Sequence, residues 1–201
     1  MTKFWKAGLA LGTASLLFSA PAAAQECQAT PFACAVDLAI ENGLQALRNV
    51  ERGTGHFGDN NGRHNFLGAL AFMEKRDGVG WIGRSVGFDG MDPVDQAMTI
   101  RLVQTMITND RPLSNPNQQI YTYVTGGDAM ALSAYLATGG PDDVGAAVTA
   151  SQALANAVVA LQRGQGADGG YSYSGPGDDM STTQFGIAGL SAAENIIEGA
   201  S

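Results

Sequence analysis

The stretch that decides the fold runs from Leu161 to Glu194, LQRGQGADGGYSYSGPGDDMSTTQFGIAGLSAAE. It predicts the end of one helix, a glycine-rich loop with paired aromatic side chains, an acidic helix start and a helix of small residues. A weaker copy runs from Val50 to Glu74, VERGTGHFGDNNGRHNFLGALAFME. Two copies of one pattern in a short chain favour a repeat architecture.

The first 24 residues have the layout of a secretory signal peptide. Lys3 and Lys6 make the start basic, residues 7–20 are apolar, and residues 22–24 form a small-residue cleavage site. The apolar run is short for a membrane span, so an uncleaved anchor is the less favoured alternative. We expect cleavage near Ala24-Gln25 and export to the periplasm or the extracellular space.

Removal of this segment leaves residues 25–201, which are enough for one domain with a hydrophobic core. Loss of Lys3 and Lys6 leaves nine basic residues against nineteen acidic ones, a formal charge near −10. An acidic, lysine-poor surface argues against binding to nucleic acid or to anionic lipid headgroups. No later segment is long and apolar enough to predict a membrane span.

Cys27 and Cys34 are the only two cysteines, and both lie near the new amino terminus. An even pair in an oxidising compartment predicts a disulfide, with two reduced thiols as the alternative. On one straight helix the two residues would be too far apart to bridge. Pro31 removes this obstacle, because the chain can loop before the helix starts there.

Apolar spacing and capping residues predict six helices. Asp92 is the predicted cap of the third, with Pro93 at its first position. The only strand candidate is a weak one at Asn115 to Thr125. We therefore expect an all-α domain of helices paired across glycine-rich loops. The predicted helices span about Pro31 to Arg52, Asn65 to Arg76, Pro93 to Ile107, Asp128 to Ala137, Pro141 to Arg163, and Asp179 or Ser181 to Glu198.

The loop pattern resembles the repeat of the prenyltransferase and squalene-cyclase (terpenoid cyclase) family. The best match is Leu161-Gln162, then Asp168-Gly169-Gly170-Tyr171, then Ser181 to Phe185; Gly55-His56-Phe57-Gly58 with its flanking helices is a looser match. The resemblance implies an α/α toroid of outer and inner helices around a central cavity. Because full toroids of that family have about twice as many helices, a half-toroid that dimerises, an open arc and a truncated reading frame are the alternatives.

The chain lacks the motifs through which enzymes of that family act. No DxDD acid motif occurs, and the acidic groups Asp142-Asp143, Asp178-Asp179 and Asp89 to Asp95 stand at predicted helix starts, where capping explains them. His56 and His64 do not have zinc-ligand spacing. We therefore expect neither a metal nor a cofactor, and the enzyme hypothesis is the less favoured one.

The candidates for lining a ligand cavity are aromatic and polar side chains in the loops and at the predicted helix starts. The aromatic ones are also explained as structural wedges between neighbouring units, which is the favoured interpretation. The candidates are His56, Phe57, His64, Trp81, Asp95, Asp128, Tyr171, Tyr173 and Asp179.

The sequence is compatible with three functions. The favoured one is an exported, non-catalytic repeat protein that binds a hydrophobic small molecule or a partner in its concave face. The second is a terpenoid-cyclase-type enzyme or a fragment of one. The third is a secreted polysaccharide-acting α/α-toroid enzyme, in which Asp95, Asp128 and Asp179 would converge as paired carboxylates. A homodimer that completes the ring is the partner expected from the half-toroid alternative.

Overall fold

A computed structural model describes residues 30–51, 53–57, 62–109 and 113–197. The described part is mainly helical, as predicted, with a short antiparallel hairpin between the second and third helices. The elements are α1 (Pro31–Glu51), α2 (Asn65–Met73), β1 (Arg76–Gly78), β2 (Ile82–Ser85), α3 (Pro93–Thr108), α4 (Thr122–Ala137), α5 (Ala150–Gly164) and α6 (Met180–Ile197).

Helix α4 is the centre of the molecule and packs between α2 and α6. Gly127 of α4 faces the ring of Phe66 in α2. On another side, the carbonyl of Gly126 lies so close to Gly189 of α6 that an added Cβ there would be 2.6 Å from its oxygen. The rings of Phe66, Tyr123 and Phe185, near the amino-terminal ends of α2, α4 and α6, contact one another, and later turns of the same three helices line one groove. The three helices therefore form a parallel row.

Helices α3 and α5 run antiparallel to this row. The backbone N–H of Asp89, just before α3, donates to the carbonyl of Thr138 just after α4. At the other end of the row, Arg163 in the last turn of α5 donates to the carbonyl of Gln118, just before α4. Helix α3 packs on α2, α5 packs on α4 and α6, and α1 contacts α2.

Three helix boundaries follow from caps that the sequence predicts. The carboxylate of Asp92 accepts the N–H of Val94 at 2.9 Å and that of Asp95 at 3.0 Å, which fixes the start of α3. Asp179 caps α6 in the same way through the N–H of Thr182 at 2.9 Å. Helix α1 begins at Pro31 as predicted. Arg52 and Glu198, the predicted ends of α1 and α6, lie outside the described residues.

The predicted start of α4 at Asp128 is wrong, and so is the strand candidate at Asn115 to Thr125. The helix begins at Thr122 and runs straight through Gly126 and Gly127. Glycine is disfavoured in the interior of a helix, so the sequence predicts a loop at Gly126 and Gly127. Tertiary packing reverses this preference, because the close approach of α2 and α6 leaves no room for side chains at these two positions.

Two other boundaries are corrected. Helix α5 begins at Ala150 rather than near Pro141. Gly145 has a φ of 73°, which is incompatible with a helix, so residues before Ala150 form a loop. From within that loop, the carboxylate of Asp142 accepts the N–H of Ser151. Helix α2 ends at Met73 instead of Arg76, since Arg76 starts β1. Strands of three and four residues are too short to produce a recognisable alternation.

The predicted signal peptide and its cleavage site lie outside the described residues, as does Cys27. The Cys27–Cys34 disulfide is accordingly unsupported by the described part of the chain and stays a prediction. None of the described helices is both long enough and apolar enough to cross a membrane.

Candidate functional site

The loop between α5 and α6 is anchored by Tyr171, whose side chain is fully buried. The ring lies against Gly186 of α6, where a Cβ would come within 2.8 Å of it. The backbone N–H of Tyr171 donates to Thr183 Oγ1 at 2.9 Å, and its carbonyl accepts the hydroxyl of Thr182 at 3.0 Å. Burial raises the pKa of the Tyr171 phenol. Tyr171 therefore holds the loop on α6 and is closed off from solvent.

The loop between α1 and α2 has the same arrangement around Phe57. Its ring packs against Gly68 of α2, and its backbone N–H donates to Asn65 Oδ1 at 3.3 Å. In both loops the polar side chain that holds the aromatic residue stands three positions before the glycine that faces the ring. The two sequence copies therefore share one packing pattern.

Glu51 closes the first of these loops from the end of α1. Its carboxylate accepts the N–H groups of Gly53 and Gly55, both at 2.7 Å, and pairs with Arg101 of α3 at 2.9 Å. Burial opposes ionisation, but the guanidinium and the two amides outweigh it and lower the pKa of Glu51. Glu51 is a structural bridge between α1, the loop and α3.

A groove of about 360 Å³ crosses the row of parallel helices, and we call it the α2–α4–α6 groove. This volume lies within the range of small-molecule pockets. Four alanines keep it open, and larger apolar side chains flank them. The lining residues are Leu70, Glu74, Met130, Ser133, Ala134, Ala137, Ala188, Ala192, Asn195 and Ile196.

The polar groups of this groove lie toward its carboxyl-terminal end. Glu74 follows the last residue of α2 and accepts the hydroxyl of Ser85 at 2.7 Å. Asn195 lies in the last turn of α6. The hydroxyl of Ser133 is satisfied within α4, since it donates to the carbonyl of Ala129 at 2.7 Å. The groove thus has an apolar body and one polar end.

Aromatic side chains from all three helices meet at the amino-terminal end of the row. The ring centroids of Tyr123 and Phe185 are 4.3 Å apart, and Phe66 lies edge-on to both, at 5.6 Å from Tyr123 and 6.0 Å from Phe185. Aromatic contacts of this kind stabilise beyond the area that they bury. They fix the spacing of α2, α4 and α6 beside the groove.

The sequence-predicted site residues do not line this groove. Ala188 and Ala192 belong, with Gly186 and Gly189, to the helix of small residues that the sequence predicts. In the structure the glycines face neighbouring backbone or aromatic atoms, whereas the alanines face the groove. The three- and four-residue spacing of the alanines was the available signal for a second small-residue face.

The three acids proposed for paired-carboxylate chemistry do not converge. Asp95 is held by Arg48 of α1, with both carboxylate oxygens 2.7 Å from guanidinium nitrogens. It lies in the first turn of α3, near the carboxyl end of α4. Asp179 caps α6 at the opposite end of the row. The 16 residues of α4 separate these ends by roughly 24 Å, well above the spacing of catalytic carboxylate pairs.

Asp128 is the third acid, and it is buried in the middle of the molecule. Its side chain is 2% exposed, and Oδ1 has no hydrogen-bond partner within the described part of the chain. Burial raises the pKa of Asp128 well above its ordinary value. A carboxyl group in this setting favours its neutral, protonated form. Asp128 does not line the α2–α4–α6 groove.

A second cavity, of about 260 Å³, lies between α1 and the hairpin, and we call it the α1–hairpin cleft. Trp81 stands at its edge with its side chain 43% exposed. The guanidinium of Arg76 lies 6.0 Å from the indole ring. The lining residues are Asp37, Ile40, Glu41, Lys75, Arg76, Asp77, Gly78, Val79 and Trp81.

The backbone of Trp81 is strained. Among the described residues it is the one non-glycine position with positive φ, 64°, and it follows Gly80 with φ of 78°. Two successive positive φ angles are typical of the tight turns that join antiparallel strands, where glycine and asparagine are favoured. A bulky residue in this region costs about 1 to 3 kcal/mol. The sequence indicates Trp81 as a candidate site residue but does not indicate this turn.

The remaining candidates are peripheral. Tyr173 is 47% exposed, and its ring centroid lies 5.6 Å from that of Tyr121. His64 is exposed just before α2, and His56 is half-buried in the preceding loop. Within the described ranges, no group of three His, Cys, Asp or Glu side chains could hold a metal ion.

Comparison with known proteins gives no relatives: no protein-family model, no curated protein and no solved structure matches this chain.

Proposed function

We propose that this protein is an exported, non-catalytic helical-repeat protein that binds an apolar small molecule in the α2–α4–α6 groove. The observation that carries the proposal is the groove itself. Alanines from α4 and α6 leave a channel beside three parallel helices, with apolar walls and polar groups at one end. An elongated molecule with one polar end has the matching chemistry.

Two features support an α/α-toroid arrangement of the prenyltransferase and squalene-cyclase type. The first is the parallel row of α2, α4 and α6 with α3 and α5 antiparallel to it, which is consistent with the alternation of inner and outer helices in that family. The second is the packing pattern shared by the Phe57 and Tyr171 loops. On this proposal the groove belongs to the concave side of an arc of three hairpins.

The interactions and positions of the three acidic candidates support a binding protein over an enzyme. Asp95 is neutralised by Arg48, and Asp179 is occupied as a helix cap. Asp128 lines neither the groove nor the α1–hairpin cleft. The basic, apolar and small-residue succession of residues 1–24 supports export.

We further propose that the chain self-associates through the edge formed by α5 and α6. The edge formed by α5 and α6 has a second apolar groove of about 510 Å³, which we call the α5–α6 groove, lined by Val158, Ile187, Leu190 and Ile197 among others. Stacked repeats bury such faces against a neighbour, and end units with a polar outer face keep an array soluble. A second copy of the chain, docked at this edge, would extend the arc.

The test of the binding function is to purify the protein from the compartment to which it is exported, extract it with organic solvent and identify bound molecules by mass spectrometry. The proposal expects an apolar molecule in stoichiometric amount. It also expects that Ala188→Phe, which fills the groove, abolishes recovery of that molecule while the helical circular dichroism is retained. Equal recovery from the filled variant would exclude the groove as its site.

A further inference from the structure

The α1–hairpin cleft is separate from the α2–α4–α6 groove and has different chemistry. The two cavities have no lining residue in common. The groove is mainly apolar, whereas five charged side chains surround the cleft, two of them on α1, two on β1 and the fifth, Lys75, just before β1. At about 260 Å³ the cleft is smaller than the pockets of drug-sized ligands, so it suits a ligand about the size of one ring.

Trp81 occupies a position where the backbone disfavours a bulky residue. Its φ of 64° belongs to a turn position at which glycine would be unstrained. The side chain does not contribute a buried core contact in return, since 43% of it is exposed. Within the described part of the chain the indole N–H makes no hydrogen bond. Backbone strain that the core does not need is a mark of a functional position.

The charged groups of the cleft already have partners within the protein. Lys75 pairs with Glu41 at 2.8 Å, and Arg76 lies over the Trp81 ring. Asp37 accepts the N–H of Gly80 at 2.8 Å through one oxygen. The cleft thus offers a ligand both hydrogen-bond acceptors, the carboxylate oxygens, and hydrogen-bond donors, the ammonium and guanidinium N–H groups.

This combination selects the ligand class. The three carboxylates oppose an anion, and the two cations oppose a cation. A neutral molecule rich in hydroxyl groups can donate to Asp37 and Asp77 and accept from Lys75. A sugar ring offers such hydroxyl groups at its edge and an apolar face of C–H groups that can stack on an indole. We propose that the α1–hairpin cleft binds one sugar ring of a glycan, stacked on Trp81.

Tryptophan fluorescence tests the proposal directly. The chain has two tryptophans, Trp5 and Trp81, so a Trp5→Phe variant reports on the cleft alone, with or without the amino-terminal segment. The probes are cellohexaose, maltohexaose and chitohexaose at millimolar concentration, with choline chloride and sodium phosphate as charged alternatives. We expect a saturable change in Trp81 emission with at least one oligosaccharide, unaffected by added salt because the ligand is neutral.

Variants then separate a binding role from a structural one. Trp81→Gly removes the ring and relieves the turn, so we expect calorimetric affinity for the active oligosaccharide to fall at least about tenfold while the melting temperature does not fall. Trp81→Phe is expected to retain part of the affinity, and Ile82→Ser, at the neighbouring exposed position, all of it. No response to any oligosaccharide, a response to choline or phosphate alone, or undiminished affinity in Trp81→Gly would overturn the proposal.

Discussion

The ring of Tyr171 lies directly against Gly186, three residues after the threonine that holds its backbone N–H. Phe57 has the same relation to Gly68 and Asn65. The aromatic residues of the two glycine-rich loops are thus seated on the helices that follow them. Each loop and its helix form one packed unit, and the glycine on the helix is as necessary to it as the aromatic residue in the loop.

Replacement of Gly186 by alanine should therefore destabilise the protein. The added methyl group would overlap the Tyr171 ring, and overpacking of this kind costs about 1 to 3 kcal/mol. The free energy of unfolding in urea is the measurement. Gly43→Ala is the matched control, because Gly43 lies in α1 with no atom within 4 Å of an added Cβ. Gly43→Ala should raise the free energy of unfolding by about 0.5 to 1 kcal/mol, because alanine favours a helix more than glycine does. Equal effects of the two substitutions would contradict the seating of the ring.

Asp128 predicts an unusual dependence of stability on pH. Its pKa in the folded protein is raised by burial, whereas in the unfolded chain it is about 3.9. The folded state therefore binds more protons, and this group's contribution to the free energy of unfolding falls as the pH rises above about 4. Asp128→Asn removes the contribution. The variant should gain stability relative to the natural protein between pH 4 and pH 8.

Chemical denaturation of both proteins across that pH range measures the difference. Acids whose pKa values are lowered, such as Glu51 and Asp92, contribute equally in both proteins. Their contributions therefore cancel in the difference between the two free energies of unfolding. A difference that does not change with pH would mean that Asp128 is already ionised in the folded state.

Glu51 should behave in the opposite sense. Its folded-state pKa is lowered, so its stabilising effect is present above its unfolded pKa of about 4.3 and is lost as the pH falls through the folded value. Glu51→Ala leaves Arg101 and two backbone amides without their acceptor. It should therefore lower the free energy of unfolding by about 3 kcal/mol at neutral pH. Asn42→Ala, at an exposed position of α1 outside the described grooves, should change the free energy of unfolding little, and a similar loss there would show that the effect is not specific.

The α5–α6 groove predicts self-association. If a second copy docks there, Ile187→Glu should shift the mass measured by light scattering from dimer to monomer, since Ile187 is 52% exposed and lines this groove. Val94→Glu, at an exposed apolar position of α3 outside this groove, should leave the dimer intact. A monomeric natural protein would remove the assembly proposal and leave the binding proposal unaffected.

Local sequence signals predicted the helices but not everything about their limits. Asp92 and Pro93 fix the start of α3 through short-range hydrogen bonds, so the sequence was sufficient there. Gly126 and Gly127 were misleading, because their role depends on Phe185 and Phe66, which are distant in sequence. The turn at Gly80 and Trp81 escaped detection because a bulky residue occupies a position where glycine is expected.

The candidate site depended even more on long-range packing. The sequence predicts Tyr171 and Phe57 either as residues that line a cavity or as structural wedges. Only the fold shows that their rings face glycines rather than a cavity. The alanines of the α2–α4–α6 groove have no chemical signature, and they become a site only because three helices lie parallel. Burial of Asp128 likewise follows from its central position in the row.

The most direct test of the central proposal is titration of the purified protein with N-phenyl-1-naphthylamine, an uncharged apolar probe whose fluorescence rises when it leaves water. The natural protein should show saturable enhancement with one site per chain. Ala192→Phe, inside the groove, should abolish it, and Ala39→Phe, at an exposed position of α1, should not. Enhancement that survives in Ala192→Phe, with the fold intact by circular dichroism, would contradict the assignment of the α2–α4–α6 groove as the binding site.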